Sequence, residues 1–240
     1  MKLEHPTDEF ITTILNEFYL EGDHRLNEKL LKLFELFADE TDKYDVLIKV
    51  AALNKLYSTA IVNINPVAAE INKVSKQNSK PENIEEYIKW VDAIASVKWT
   101  NDKEKTFERT NLSFASKYVH FLSNYQTPIY DSYIWIVIKG YLGQSNKEKT
   151  VFTEPRNYKE FYETFDSFKK SFKLEKYSNY DIDKFLWFYG RKMIKNIQEK
   201  HSVELDKAKS ELRNRIKSYK SHSNDRHITL GFNPTKPTSL

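Results

Sequence analysis

Apolar residues recur at intervals of three and four along almost every ordered stretch of this chain, and only five glycines punctuate its 240 residues. Spacings of three and four place apolar side chains on one helical face. Scarce glycine argues against the many tight turns of an all-β fold and against a glycine-rich phosphate-binding α/β fold. The pattern predicts helices over FITTILNEFYL (10–20), LNEKLLKLFELFA (26–38) and YDVLIKVAALNKLYS (44–58). Further helices are predicted over INPVAAEINKVSKQ (64–77), with Asn65 as N-cap and Pro66 at the first helical position, and over IEEYIKWVDAIASV (84–97). Residues 98–111 are polar and read as a loop with a turn of helix. Helices return at 158–172 and 182–197, the last continuing to about residue 220 before a poorly ordered tail. The expected fold class is all-α: an N-terminal helical pair (1–43), a helical domain (44–200), then a basic helix and tail (201–240).

Fifteen Phe, fifteen Tyr and four Trp make the expected core aromatic, with Tyr and Trp able to offer a polar edge to a ligand. The absence of cysteine removes disulfides, Cys zinc sites and iron–sulfur clusters. The first residues hold no apolar signal segment, and no run approaches 18 apolar residues, so the expectation is a cytoplasmic protein that does not enter a membrane. Net charge is +4, but residues 191–220 carry ten basic side chains against four acidic ones, leaving the remainder slightly acidic. Such a segment, led by Arg191, Lys192 and Lys195, is either the footprint of a polyanion binder or a solvated helix of i,i+4 ion pairs.

The chemistry concentrates in FASKYVHFLSNYQTPIYDSYIW (114–135). On a helical wheel Lys117 shares a stripe with Ser113, His120 and Asn124, flanked by Phe114 and Phe121. An amine edged by rings is partly desolvated, which lowers a lysine pKa and frees its lone pair. Pro128 ends that helix, and Asp131 precedes the next, where its carboxylate accepts from the backbone N–H of Tyr133 or Ile134. An anchored carboxylate beside a neutral amine stabilises a developing cation.

A helix with a lysine in its middle, a short proline loop and a capping aspartate resembles the helix-hairpin-helix DNA glycosylases. This is the superfamily of endonuclease III and 8-oxoguanine DNA glycosylase. LNKLYSTAIVNINPVAAEI (53–71) and DIDKFLWFYG (181–190) are similar to a bacterial branch with the 8-oxoguanine-glycosylase fold, and the resemblance covers about residues 44–195. It implies that Lys117 attacks the sugar C1′ or helps expel the base, and that Asp131 stabilises an oxocarbenium-like sugar. The target base would rotate out of the duplex into a pocket lined by Tyr57, Ser58, Thr59, Trp187 and Phe188. The implied partner is double-stranded DNA carrying an oxidised purine or a hypermodified phage cytosine, bound by a monomer without metal or organic cofactor. TNLSFASK (110–117) lacks the family's glycine turn for a DNA phosphate, and Arg191, Lys192 and Lys195 are the natural substitutes.

Two other classes fit parts of the chain. Arg215 and His222 match the Arg-x4-6-His spacing of HEPN-type ribonucleases. The basic helix with an aromatic surface would also serve a non-catalytic DNA- or partner-binding module. No His-x3-His, paired-Asp or Glu-x-x-His arrangement appears where metal ligands would converge.

Overall fold

Most of the helices begin where a short polar side chain meets an apolar repeat. A computed structural model describes residues 1–59, 61–100, 104–145 and 150–225, with side chains to Tyr219. Within them lie α1 (Asp8–Glu21), α2 (Asp23–Leu36), α3 (Lys43–Leu56), α4 (Ile64–Gln77) and α5 (Ile84–Ala95). Two strands follow, β1 (Ser96–Thr100) and β2 (Thr106–Thr110), then α6 (Leu112–Leu122), α7 (Ser132–Ser145), α8 (Tyr158–Ser171), α9 (Asn179–His201) and α10 (Leu205–Asp225). Side-chain oxygens of Thr7, Asp42, Asn63, Asn83, Asn111, Asn157 and Ser178 accept the first backbone N–H groups of α1, α3, α4, α5, α6, α8 and α9. The protein is mostly helical, as its periodicity requires. No helix among the described residues is long and apolar enough to cross a membrane.

Three local expectations are corrected. The cap of α4 is Asn63, not Asn65: its Oδ1 accepts from Asn65 N at 3.2 Å, and Pro66 sits two residues inside the helix. Proline is tolerated there because first-turn N–H groups have no intrahelical partner to lose. The stretch 98–111 is not a loop with a helical turn. Its described residues form most of an antiparallel ribbon pairing Val97 with Arg109 and Trp99 with Phe107. Trp99 and Phe107 stack at 5.2 Å, while Lys98–Glu108 and Thr100–Thr106 occupy the opposite face. The alternation is real, but so few of its residues are apolar that period-2 patterning is faint. The basic segment is not one helix either. Ser202 takes left-handed backbone (φ 49°), Val203 N bonds back to Gln198 O, and α10 starts afresh. The tail beyond residue 225 lies outside the described residues.

One apolar core runs from Leu3 through Phe18 and Phe34 to Ile216, so the N-terminal helical pair and α10 share it with the middle of the chain. Helix α9 packs against α1, α7 and α10, and α6 packs against α2, α3 and α5. At Gly190 a Cβ would meet Tyr133 Cβ and Val137 Cγ2 at 3.1 Å, so this glycine lets α9 approach the start of α7.

Beside α6 lies a buried ion pair. Lys49, with 0% exposure, bonds Glu40, which also accepts from Tyr118 Oη; Asn72 and Ser75 bond the Glu40 carbonyl. Removing one partner leaves a charge without compensation in a dry interior. Glu40→Ala should therefore lower the unfolding free energy by about 3–5 kcal/mol, measured as a large drop in the urea midpoint at unchanged slope.

Candidate active site

Helix α6 is buried on every side from Phe114 to Phe121, so each polar side chain on it needs an internal partner. Ser116 Oγ accepts from Tyr130 N at 3.0 Å, which pins the loop leading into Asp131 against the helix carrying Lys117. Asp131 Oδ1 in turn accepts from Tyr133 N at 2.7 Å, the capping bond expected from the sequence. The two side chains singled out as a pair are thus positioned through adjacent residues.

Lys117 and Asp131 line the same cavity, of about 330 Å³, within the range of small-molecule sites. Tyr57, Ser58 and Trp187 line it as well, together with Phe18, Asp23, Leu26 and Asn27 from the N-terminal helices. Thr59 and Phe188 do not. Thr59 Oγ1 bonds Asn54 Oδ1 at 2.8 Å, and Phe188 sits in the core against Phe18. A groove of about 680 Å³ nearby is larger, but its lysine, Lys169, spends its amine on Tyr177 O and Asn179 Oδ1.

Lys117 is only 6% exposed. Its Nζ donates to Ser113 Oγ at 2.6 Å and lies 5.8 Å from the Tyr57 ring centroid. Burial holds the amine below the ordinary lysine value; Asp131 and Asp183 pull it back up through space, and Lys184 pushes it further down. The immediate partner is a neutral hydroxyl, so nothing in contact neutralises the protonated form. Tyr57, whose phenol burial pushes well above its usual value, donates to Asn27 Oδ1 at 2.5 Å, and Asn27 Nδ2 donates to Tyr180 Oη at 3.2 Å. Tyr57 therefore presents its ring, with its hydroxyl already committed.

Among the lining residues that the sequence does not single out are Asp23, Asn27, Asp183 and Lys184. Asp183, 1% exposed, accepts from Ile129 N at 2.7 Å and from Lys184 Nζ at 2.8 Å. A signal existed, because Asp183 and Trp187 are four residues apart on one helix and share a face.

The basic residues assigned to DNA phosphates are partnered. Arg191 pairs with Glu21 and, at 3.0 Å, with Asp23, and it lies over the Trp187 ring at 4.7 Å. Lys192 pairs with Glu17, and Lys195 approaches Glu199 at 3.9 Å. Arg215 Nε donates to Glu211 Oε1 at 2.7 Å and its guanidinium contacts His201; the His222 side chain of the Arg-x4-6-His spacing lies outside the described residues. Among the described residues no group of three or more His, Asp or Glu is arranged to hold a metal ion.

Residues 10–126 are similar to a family model described as HI_0787_N, an N-terminal domain. No curated protein and no solved structure matches the chain. The matched stretch contains Tyr57, Ser58 and Lys117, whereas Asp131, Asp183 and Trp187 lie beyond it, so the cavity draws on both parts.

Because the native Lys117 amine binds its proton less tightly than the unfolded one, unfolded chains hold more protons between the lowered pKa and about 10.5. Stability from this group rises with pH across that window, and the cost of the buried cation is complete below it. Lys117→Met should consequently melt at or above the wild-type temperature at pH 7, the advantage shrinking toward pH 10.5. Calorimetry across pH reads this directly.

Proposed function

We propose that the cavity is a base-excision site and the chain a DNA glycosylase of the helix-hairpin-helix type. What carries the reading is the convergence of Lys117 and Asp131 on one cavity that also holds the Tyr57 and Trp187 rings. A base extruded from the duplex would meet aromatic walls on entering, and its sugar would lie toward the amine and carboxylate. The β1–β2 ribbon stands between α5 and α6, where the superfamily has a glycine turn, so this would be a variant of that fold.

In the covalent route the neutral Lys117 amine attacks C1′. The C1′–N bond to the base breaks, the base leaves with the electron pair and gains a proton, and the amine loses one; sugar-ring opening then gives an imine. Asp131 stabilises positive charge on the sugar as the base departs. An ordinary lysine is only about 0.04% neutral at pH 7; the lowering by burial raises that fraction, which favours this route over attack by water.

Incubation with duplexes carrying oxidised purines or glucosylated cytosines, followed by alkali, should reveal strand breaks at abasic sites. Asp131→Asn keeps a capping oxygen and should keep the fold while losing excision by 100-fold or more. Borohydride should trap a protein–DNA adduct with wild type and none with Lys117→Gln. Excision without trapping would assign the attack to water assisted by Asp131, and binding without any abasic product would leave a non-catalytic module.

A further inference from the structure

The positive charge of the C-terminal segment is not spent evenly. On α9, Arg191 and Lys192 are engaged by the acids of α1 and the start of α2. On α10 the balance differs. Ala208, Leu212 and Ile216 are buried and seat the helix on the core, with Ile216 reaching the surface of α7 at Gly140. One residue further along each turn stand Lys209, Arg213 and Lys217, a stripe at i, i+4 and i+8 with a rise of about 6 Å per step.

Each member is held beside residues flanking Asp131 or the segment after α7. Lys209 Nζ lies 5.2 Å from the ring centroid of Tyr133, which itself lines the cavity, and its one acid among the described residues, the almost fully exposed Asp206, is 4.0 Å away. Arg213 acts on the phenol of Tyr130, and its Nε is buried without a hydrogen-bond partner. Lys217 Nζ lies 5.5 Å from the Phe152 ring centroid. Glu154, which also acts on Tyr130, forms no ion pair with the stripe among the described residues, and neither Arg213 nor Lys217 has an acidic partner there. Lys209 and Lys217 pack their stems along rings, and Lys217 is exposed; the buried Arg213 Nε lacks a partner among the described residues.

We propose that Lys209, Arg213 and Lys217 hold consecutive phosphates of the DNA strand whose nucleotide enters the cavity. This rests on the base-excision reading. A nucleotide's own phosphates flank its sugar; with the sugar at Lys117 and Asp131, the strand must leave past residues 130–133, and the stripe runs beside them. The contact is to backbone and therefore independent of sequence.

The test is fluorescence anisotropy with one labelled duplex, with and without a modified base, across a salt series. Lys209→Gln/Arg213→Gln/Lys217→Gln retains most of each stem, and circular dichroism melting checks its fold. Losing three phosphate contacts should flatten the slope of log K against log salt by about 2.7, and exposed Lys217→Gln alone by about 0.9, equally on both duplexes. Lys170→Gln, which removes a lysine paired with Asp166 on α8, should leave the slope unchanged. An unaltered slope in the triple variant overturns the proposal, as does wild-type binding to phosphatidylserine vesicles but not to duplex. Slope loss without excision of any substrate upholds the backbone contact and removes the excision reading; excision with an unaltered slope does the reverse.

Discussion

A helix with no solvent face imposes a strict demand, and α6 meets it through four polar side chains, with only the His120 Nε2 among their described atoms left without a partner. Ser116 receives the Tyr130 amide, Lys117 donates to Ser113, Tyr118 donates to Glu40, and His120 Nδ1 meets the Thr127 carbonyl. Left unpaired, each would cost a desolvation penalty of about 1–3 kcal/mol. These bonds orient the helix about its axis and tie it to the loop that follows. That loop is where Asp131 begins, so the rotation of α6 sets where the amine and the carboxylate stand relative to each other.

Two buried lysines, Lys49 beside this helix and Lys117 on it, have surroundings that differ in kind. Lys49 has a carboxylate in contact, rings of Phe34 and Tyr118 about it, and a Glu40 whose backbone is also bonded. It is closed and satisfied, a structural pair. Lys117 has a hydroxyl in contact, carboxylates acting only through space, and a cavity before it. A buried amine whose charge is left unneutralised by contact weakens the fold at neutral pH, and such departures from stable packing concentrate where chemistry is done. The Asp183–Lys184 pair on the facing wall adds a second charged couple without closing the space.

The same logic of pairing redistributes the basic C-terminus. Acids on α1 and α2 neutralise Arg191 and Lys192, and in doing so bind the N-terminal pair to α9 and brace the Trp187 side of the cavity through Arg191. The break at Ser202 then lets α10 fold back along α7 and α9, carrying Lys209 and Arg213 toward the residues around Asp131. A single continuous helix would have carried them away from the site.

Helical class, the position of nearly every helix and the Asp131 cap were legible in the chain, because periodicity, capping residues and Pro128 act over a few residues. The lysine–aspartate pair could be named for the same reason, since Lys117 stands on a periodic helix and Asp131 opens the next; Tyr57, Ser58 and Trp187 entered only through the resemblance to the glycosylases. The β1–β2 ribbon could not, since its ladder pairs residues whose alternation is mostly polar. Tertiary structure alone decided that Asp23 and Asn27 join the cavity, that Phe188 turns into the core, and that Arg191 faces Glu21 and Asp23. Those outcomes depend on how α1, α2, α7 and α9 cross, through close contacts such as the one at Gly190, between residues far apart in the chain. Local patterns specify which face of a helix is apolar; only the packed assembly specifies what that face meets.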